Sequence, residues 1–318
     1  MVAIPLSNQL KGILFGLIAA LIWSGHSIVS SLGIAAGLSA YDLTALRIIT
    51  NLLIFLPFIL KSKAQQRAGL TAIRGLVLAL CAGATFSVVI TSGLLFAPVT
   101  HSGGISLGTV PLFAFLLVTW VGSPAPAHPC ARRPFLVRES ASMHKKPFHL
   151  SFFASLLLIL AGIVLITLLS AQPSLSPDFW IGDLLFLCGG LMWASYAILG
   201  QRWQINAVLG VAATNFFSIP YLVIYYFYLE PGLSKVSLGQ LSLQIIYQGI
   251  LVGGVALVCY MRSVALLGVE KGALFTALAP VGVIILGSLV LDYQATLQET
   301  IGIVLVTSGM LVALRLKK

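Results

Sequence analysis

Residues 12–32 read GILFGLIAALIWSGHSIVSSL, a run without any Asp, Glu, Lys or Arg. A helix that crosses a bilayer needs about 20 consecutive apolar residues, so this run predicts a transmembrane helix. The rest of the chain has the same character: its 318 residues are 59% hydrophobic and 8% charged, with a mean hydropathy of +1.05. Soluble domains carry about 25% charged residues, so a cytosolic enzyme, a disordered tail protein and a secreted disulfide scaffold are excluded.

Apolar runs of about 17–25 residues predict ten transmembrane helices. The predicted fold class is therefore an all-α polytopic membrane protein. The ten runs are residues 12–32, 43–60, 73–96, 102–121, 150–170, 180–200, 206–229, 243–266, 272–291 and 298–314.

The basic residues predict the orientation of the chain. If the N-terminus is cytoplasmic, 15 of the 18 Lys and Arg residues fall on the inner side, Lys235 falls outside, and Arg47 and Arg262 remain within spans. This asymmetry predicts cytoplasmic termini and an even number of helices in a cell membrane, such as the bacterial inner membrane. No cleavable signal is expected, because the first apolar run is too long for one. Nucleic acid is rejected as a partner, because the basic residues punctuate apolar runs and do not cluster on one face.

The chain shows no pattern of enzyme chemistry. Its four cysteines have neither a CxxC nor a paired spacing, its five histidines are dispersed, and no HExxH, GxGxxG or P-loop motif occurs. We therefore predict no catalytic residue, no metal and no cofactor.

Two pairs of similar segments indicate an internal repeat. Residues 20–27 (ALIWSGHS) resemble residues 190–197 (GLMWASYA), and residues 108–111 (GTVP) resemble residues 277–280 (ALAP). The offsets of 170 and 169 residues agree, which predicts two five-helix halves. Because five is odd, the second half crosses the membrane in the opposite sense. Such inverted-topology repeats are typical of secondary transporters, which hold the substrate site near the midplane.

The repeat sets the domain boundaries. Residues 1–121 and 150–170 form the first repeat, and residues 180–318 form the second. Residues 122–149 are an atypical insertion, rich in Pro, Arg, His and Ser, and predict a basic cytoplasmic loop. A genuine regulatory loop and a segment produced by paired frameshifts both remain open.

The same segments carry a resemblance to a known family. The stretch 16–60 resembles the first two helices of EamA-type members of the drug/metabolite transporter superfamily, and residues 259–268 (CYMRSVALLG), 279–280 and 303–314 resemble that family's second repeat. The resemblance implies a ten-helix carrier of small metabolites, often amino acids or related compounds, and often an exporter. His26 stands where the family commonly has Asn.

Aromatic and ionisable residues inside the apolar runs are the candidates for a substrate cavity. Trp23 and Trp193 lie mid-span, where an indole N–H needs either a partner or a wet cavity. His26, whose repeat mate is Tyr196, is the only histidine deep in a predicted span and could bind substrate or relay a proton. Helix packing is the alternative for each of them. Weaker cavity candidates are Phe86, Thr109, Asn215 and Tyr260.

Two arginines and two prolines complete the predicted site. Arg47 either attracts an anionic group of the substrate or plays a structural role, since Asp42 is only five residues away. Arg262 lies near the inner end of its helix and reaches the interface more easily. Pro111 and Pro280 predict symmetric kinks or hinges in the fourth and ninth helices.

These observations predict a secondary transporter, with a small-molecule substrate and the lipid bilayer as its partners. No carboxylate is expected in mid-membrane, so we expect facilitated efflux or exchange and not strong proton coupling. Small-residue runs such as 102–104 (SGG) are explained by close helix packing. The alternatives are a sugar or sugar-phosphate carrier, and a channel or membrane scaffold without carrier activity. The sequence is compatible with a homodimer.

Overall fold

The structure is a computed structural model that describes residues 7–62, 69–97, 101–121, 150–167, 177–229, 231–290 and 296–315. Throughout these ranges the regular secondary structure is helical, without a strand. The predicted insertion at residues 122–149 lies outside the described residues.

Helices follow one another along the described ranges and account for every predicted span. They are α1 (Asn8–Ala35), α2 (Ala40–Lys61), α3 (Ala72–Gly93), α4 (Ser102–Trp120), α5 (Leu150–Thr167), α6 (Phe179–Arg202), α7 (Ala207–Tyr228), α8 (Leu238–Leu267), α9 (Val269–Leu286) and α10 (Leu297–Arg315). Eight of them are long and apolar enough to cross a membrane. In α5 and α10 the described apolar stretches are shorter, Phe153–Leu165 and Thr300–Val312. The prediction of an all-α polytopic membrane protein is confirmed at this level.

Two helices begin a few residues before the predicted apolar runs, because a polar residue caps each of them. At the start of α2, the Ser39 hydroxyl accepts a hydrogen bond from the Asp42 amide (3.1 Å), and the Asp42 carboxylate accepts one from the Ser39 amide (2.8 Å). At the start of α8, the Ser237 hydroxyl accepts from the Gln240 amide (3.2 Å). Such first turns are polar, so a search for apolar runs misses them.

Six of the eight long spans are not continuous α-helices. The α-helical winding is interrupted at Gly25 in α1, at Gly83 in α3 and at residues 217–218 in α7. Other turns are wound differently: Ser102–Leu107 and Ile245–Ala256 are π-helical, and Leu274–Leu278 form a 3-10 helix. Backbone groups freed by such breaks find no water in lipid, so other parts of the protein must satisfy them.

Side chains of neighbouring helices satisfy the breaks at the two glycines. The Tyr247 hydroxyl of α8 donates to the Ile22 carbonyl of α1 at 2.9 Å, and a Cβ on Gly25 would overlap that hydroxyl. At the α3 break, the Ser218 hydroxyl of α7 accepts from the Ala84 amide at 3.1 Å. Each break is therefore part of a contact between helices.

Three glutamines of α8 bond to the second part of α1. They are Gln240, which donates to the Leu32 carbonyl (2.8 Å), Gln244, which donates to the Val29 carbonyl (2.8 Å), and Gln248, which donates to the Ser30 hydroxyl (2.7 Å). Polar contacts of this kind hold transmembrane helices together. The part of α1 beyond the break is thus attached to α8.

A buried carboxylate ties α2 to the end of α7. The Asp42 side chain is 2% exposed. One of its oxygens accepts from the Ser39 amide and hydroxyl (2.8 and 2.7 Å), and the other accepts from the Gly232 amide (2.8 Å) and the Tyr225 hydroxyl. Four donors compensate the cost of burying this charge.

We predict that Tyr225→Phe lowers the free energy of unfolding by about 1–2 kcal/mol, because it removes one hydrogen bond to a buried charge. The matched control is Tyr226→Phe, since Tyr226 is 71% exposed and we expect almost no change there. Denaturant titration of both purified variants in detergent measures the difference. Equal stability of the two variants would contradict this role of Asp42.

Candidate functional site

A cavity lies between α1, α2, α3, α4, α6 and α8. The empty volume of the cavity, including its open mouth, is about 410 Å³. The part of this volume that the centre of a water molecule can occupy is only about 30 Å³. That is room for roughly two water molecules. The structure therefore shows a narrow state of the cavity.

One wall of the cavity is aromatic, as the sequence predicts for mid-span tryptophans. Trp23 and Trp193, from the two segments of the predicted internal repeat, meet edge to face with ring centroids 5.1 Å apart, and Phe86 lies 4.9 Å from Trp193. All three line the cavity. Tyr196 and Tyr260 pack against the two indoles, with centroids 5.8 Å from Trp193 and 5.2 Å from Trp23 respectively. The structure thus brings five of the predicted residues into one cluster.

The opposite wall is polar. His26 is the first helical residue after the α1 break and lines the cavity beside Ser27. The Ser27 hydroxyl donates to the Ser102 hydroxyl at 3.3 Å, and Ser106 lies one turn further along α4. Sequence reasoning missed the serines of α4 because it explained their small-residue run by packing. The π-helical winding that turns them toward the cavity has no recognisable sequence signature.

Arg47 of α2 also lines the cavity, and its side chain is only 5% exposed. Its aliphatic stem fits against Gly253 of α8, where an added Cβ would lie 3.0 Å from the Arg47 Cγ. Within the described part of the chain, the guanidinium makes no ion pair and no hydrogen bond.

The predicted prolines stand where the helical winding changes. Pro111 is the second residue of the α-helix Val110–Val121, just after the π-helical start of α4. Pro280 is the second residue of the α-helix Ala279–Val290, just after the 3-10 turn of α9. Proline is tolerated in a first turn because its missing N–H would have had no partner there.

Three other candidates lie away from the cavity. The Thr109 hydroxyl bonds to the Ile105 carbonyl of its own helix, and the Asn215 amide donates to the Val211 carbonyl at 2.8 Å. Arg262 is exposed, with its guanidinium 5.9 Å from the Phe15 ring. In all three cases, the contacts are those of helix packing.

A buried histidine went unnoticed in the sequence. His101, at the start of α4, is 2% exposed, and its Nδ1 lies 2.8 Å from the Asp183 carboxylate of α6. His26, by contrast, is only partly buried. In the part of the chain that the structure covers, no group of three His, Cys, Asp or Glu residues could hold a metal ion.

Comparison with known proteins finds similar folds and one matching family model. Twenty-nine chains of solved structures match, and one crystal structure matches with a TM-score of 0.68 and 19% sequence identity over 95% of this chain and 96% of its own. At that identity the likeness shows the fold alone. No curated protein matches. The model of the EamA-like transporter family matches residues 180–315, which confirms the resemblance seen in the sequence.

With its eight long apolar helices and this match over residues 180–315, the chain is a multi-pass membrane protein that is similar to the EamA-like transporters, part of the drug/metabolite transporter superfamily.

Proposed function

We propose that this protein is a secondary transporter that exports a small metabolite, such as an amino acid or a related compound. Transport proceeds by alternating access around the cavity described above, placed near the bilayer midplane between the two halves of the chain. One observation carries the proposal: the cavity is enclosed by helices from both halves and combines an aromatic wall with a polar one. Small-molecule sites are typically concave and apolar, with a few convergent polar groups.

The proposal includes ten membrane-spanning helices. The pairing of α5 with α10 supports counting both of these as spans. A Cβ on Gly162 would lie 2.6 Å from the Gly302 carbonyl oxygen, and a Cβ on Gly309 would lie 2.7 Å from the Ser155 carbonyl oxygen. Close backbone approach at small residues is typical of helices that associate within membranes.

The proposal also includes the inverted repeat, and equivalent contacts support it. Gly12 of α1 packs on Leu267 of α8, where an added Cβ would lie 2.7 Å from the leucine Cγ. Gly182 of α6 packs on Ala97 after α3, with the corresponding distance at 2.6 Å. An offset of 170 residues relates Gly12 to Gly182 and Ala97 to Leu267. The same offset relates the two tryptophans of the cavity.

The contacts between α5 and α10 are related by a second offset. An added Cβ on Gly162 would lie 2.8 Å from Val306, and one on Gly309 would lie 2.9 Å from Ile159. An offset of 147 residues relates Gly162 to Gly309 and Ile159 to Val306. Halves that contact each other in this reciprocal way can exchange conformations. An outward-open state then has an inward-open counterpart, as alternating access requires.

We predict that both termini are cytoplasmic, which can be tested by cysteine labelling in a variant without native cysteines. Lys235→Cys should react with a membrane-impermeant maleimide in intact cells. A cysteine added after Lys318 should react only after the membrane is permeabilised. Labelling of both sites from outside would contradict the three spans predicted after Lys235 and the cytoplasmic C-terminus.

We predict carrier kinetics for a substrate identified by comparing metabolite efflux from cells with and without the protein. Purified protein in liposomes should give saturable uptake that unlabelled substrate on the opposite side accelerates, because each reorientation carries bound substrate back. Flux that rises linearly with concentration would indicate a channel, and absence of flux would indicate a scaffold. A preference for sugars or sugar phosphates in the efflux screen would favour the alternative substrate class.

We also predict that His26→Ala lowers the transport rate about tenfold at equal protein abundance, the effect of losing one hydrogen bond to a bound substrate. Cys188→Ala is the control, since Cys188 is exposed on α6. Immunoblots measure abundance alongside transport. If His26→Ala lowers abundance as much as transport, the histidine has a structural role.

A further inference from the structure

The guanidinium of Arg47 is a buried cation at the cavity wall for which the described residues provide no counter-charge. A cation in a low-dielectric site is costly unless an anion or several acceptors compensate it. At a cavity enclosed by helices, the partner of this cation comes either from the protein or from a bound ligand.

The acid nearest in sequence is already engaged. Asp42 lies five residues before Arg47, but its two oxygens accept from Ser39, Tyr225 and Gly232. These donors hold the carboxylate at the end of α2 and leave it no free oxygen to turn toward Arg47.

A second acid, on the cavity-lining helix α6, is engaged too. Asp183 of α6 pairs with His101 at the start of α4 at 2.8 Å. The cavity wall itself, drawn from α1, α2, α3, α4, α6 and α8, contains no Asp or Glu among the residues that the structure covers. His26 and Arg47 are its titratable groups there, and neither brings negative charge.

Resting on the transporter function proposed above, we propose that Arg47 binds the carboxylate of the substrate and that the transported class is aromatic monocarboxylates. The planar guanidinium matches a carboxylate with two parallel N–H···O bonds. The indole rings of Trp23 and Trp193 and the phenyl ring of Phe86 supply the surface against which the aromatic body packs. Amines and neutral amides of the same shape lack the charge that Arg47 requires.

Binding of 3-phenylpropionate to the purified protein in nanodiscs tests the inference, with 3-phenylpropionamide as the matched neutral probe. We expect the acid, ionised at neutral pH, to bind at least about thirtyfold more tightly than the amide. Arg47→Met should abolish the difference, and Arg47→Lys should keep part of it. Arg262→Met is the control, because Arg262 lies outside the cavity, and it should bind like the unmodified protein. Equal binding of acid and amide would overturn the inference.

Thermal unfolding separates a ligand-binding arginine from a structural one. Removing a buried charge that no protein group compensates should leave Arg47→Met as stable as the unmodified protein or more so. The acid should raise the melting temperature of the unmodified protein and not that of Arg47→Met. A markedly less stable Arg47→Met variant would show that the arginine is structural and would overturn the inference.

Flux measurements distinguish a failure of this inference from a failure of the proposed carrier function. If an efflux substrate without a carboxylate shows saturable counter-flow that Arg47→Met leaves unchanged, the protein is a carrier and the assignment of Arg47 is wrong. If the acid binds through Arg47 but no substrate crosses the membrane, the assignment stands and the carrier function fails.

Discussion

Inside a bilayer, a backbone amide or carbonyl that leaves the regular helix has no water with which to bond, and this constraint decides where the helices can break. The interruption of α1 is possible because the Tyr247 hydroxyl of α8 bonds to the Ile22 carbonyl. The interruption of α3 is possible because the Ser218 hydroxyl of α7 accepts from the Ala84 amide. In both cases the helix that breaks and the helix that satisfies the break are adjacent. The irregular turns are therefore also the points where helices are held together, and the cavity opens between them.

The same shortage of water governs the charges. Asp42 is surrounded by four donors, and His101 faces Asp183, so each of these groups is compensated within the protein. Arg47 differs because its side chain is equally buried but faces the cavity. A membrane protein that retains such a cation accepts a cost that a bound anion would offset. Among the described residues, this contrast between compensated charges at helix ends and the uncompensated charge of Arg47 at the cavity is the basis of the role proposed for Arg47.

The helix positions could be predicted because the bilayer selects for the length and apolarity of a segment, both of which are visible in the sequence. Trp23, Trp193 and Phe86 could be predicted for a related reason, since large aromatic residues in mid-span need neighbours of matching shape. The bonds of Thr109 and Asn215 to carbonyls of their own helices, away from the cavity wall, could not be predicted. A polar side chain in a span bonds either to a ligand or to a carbonyl of its own helix, and the sequence does not distinguish the two.

The proposed repeat also explains why only one of the two equivalent helices is broken. The positions equivalent to Gly25 and Tyr247 are Ser195 of α6 and Val77 of α3, so the equivalent pair lacks both the glycine that admits a hydroxyl and the hydroxyl itself. Accordingly α6 runs unbroken through Ser195, whose hydroxyl bonds to a carbonyl of its own helix.

The two halves consequently contribute unequally to the cavity wall. The first half brings His26 and Ser27 directly after a break, whereas α6 brings only Trp193 to the wall. In the proposed carrier, two halves that differ in this way would not exchange conformations between states of identical energy. The proposal therefore implies that one orientation is favoured at rest and that the binding energy of the substrate in the other orientation supplies the difference.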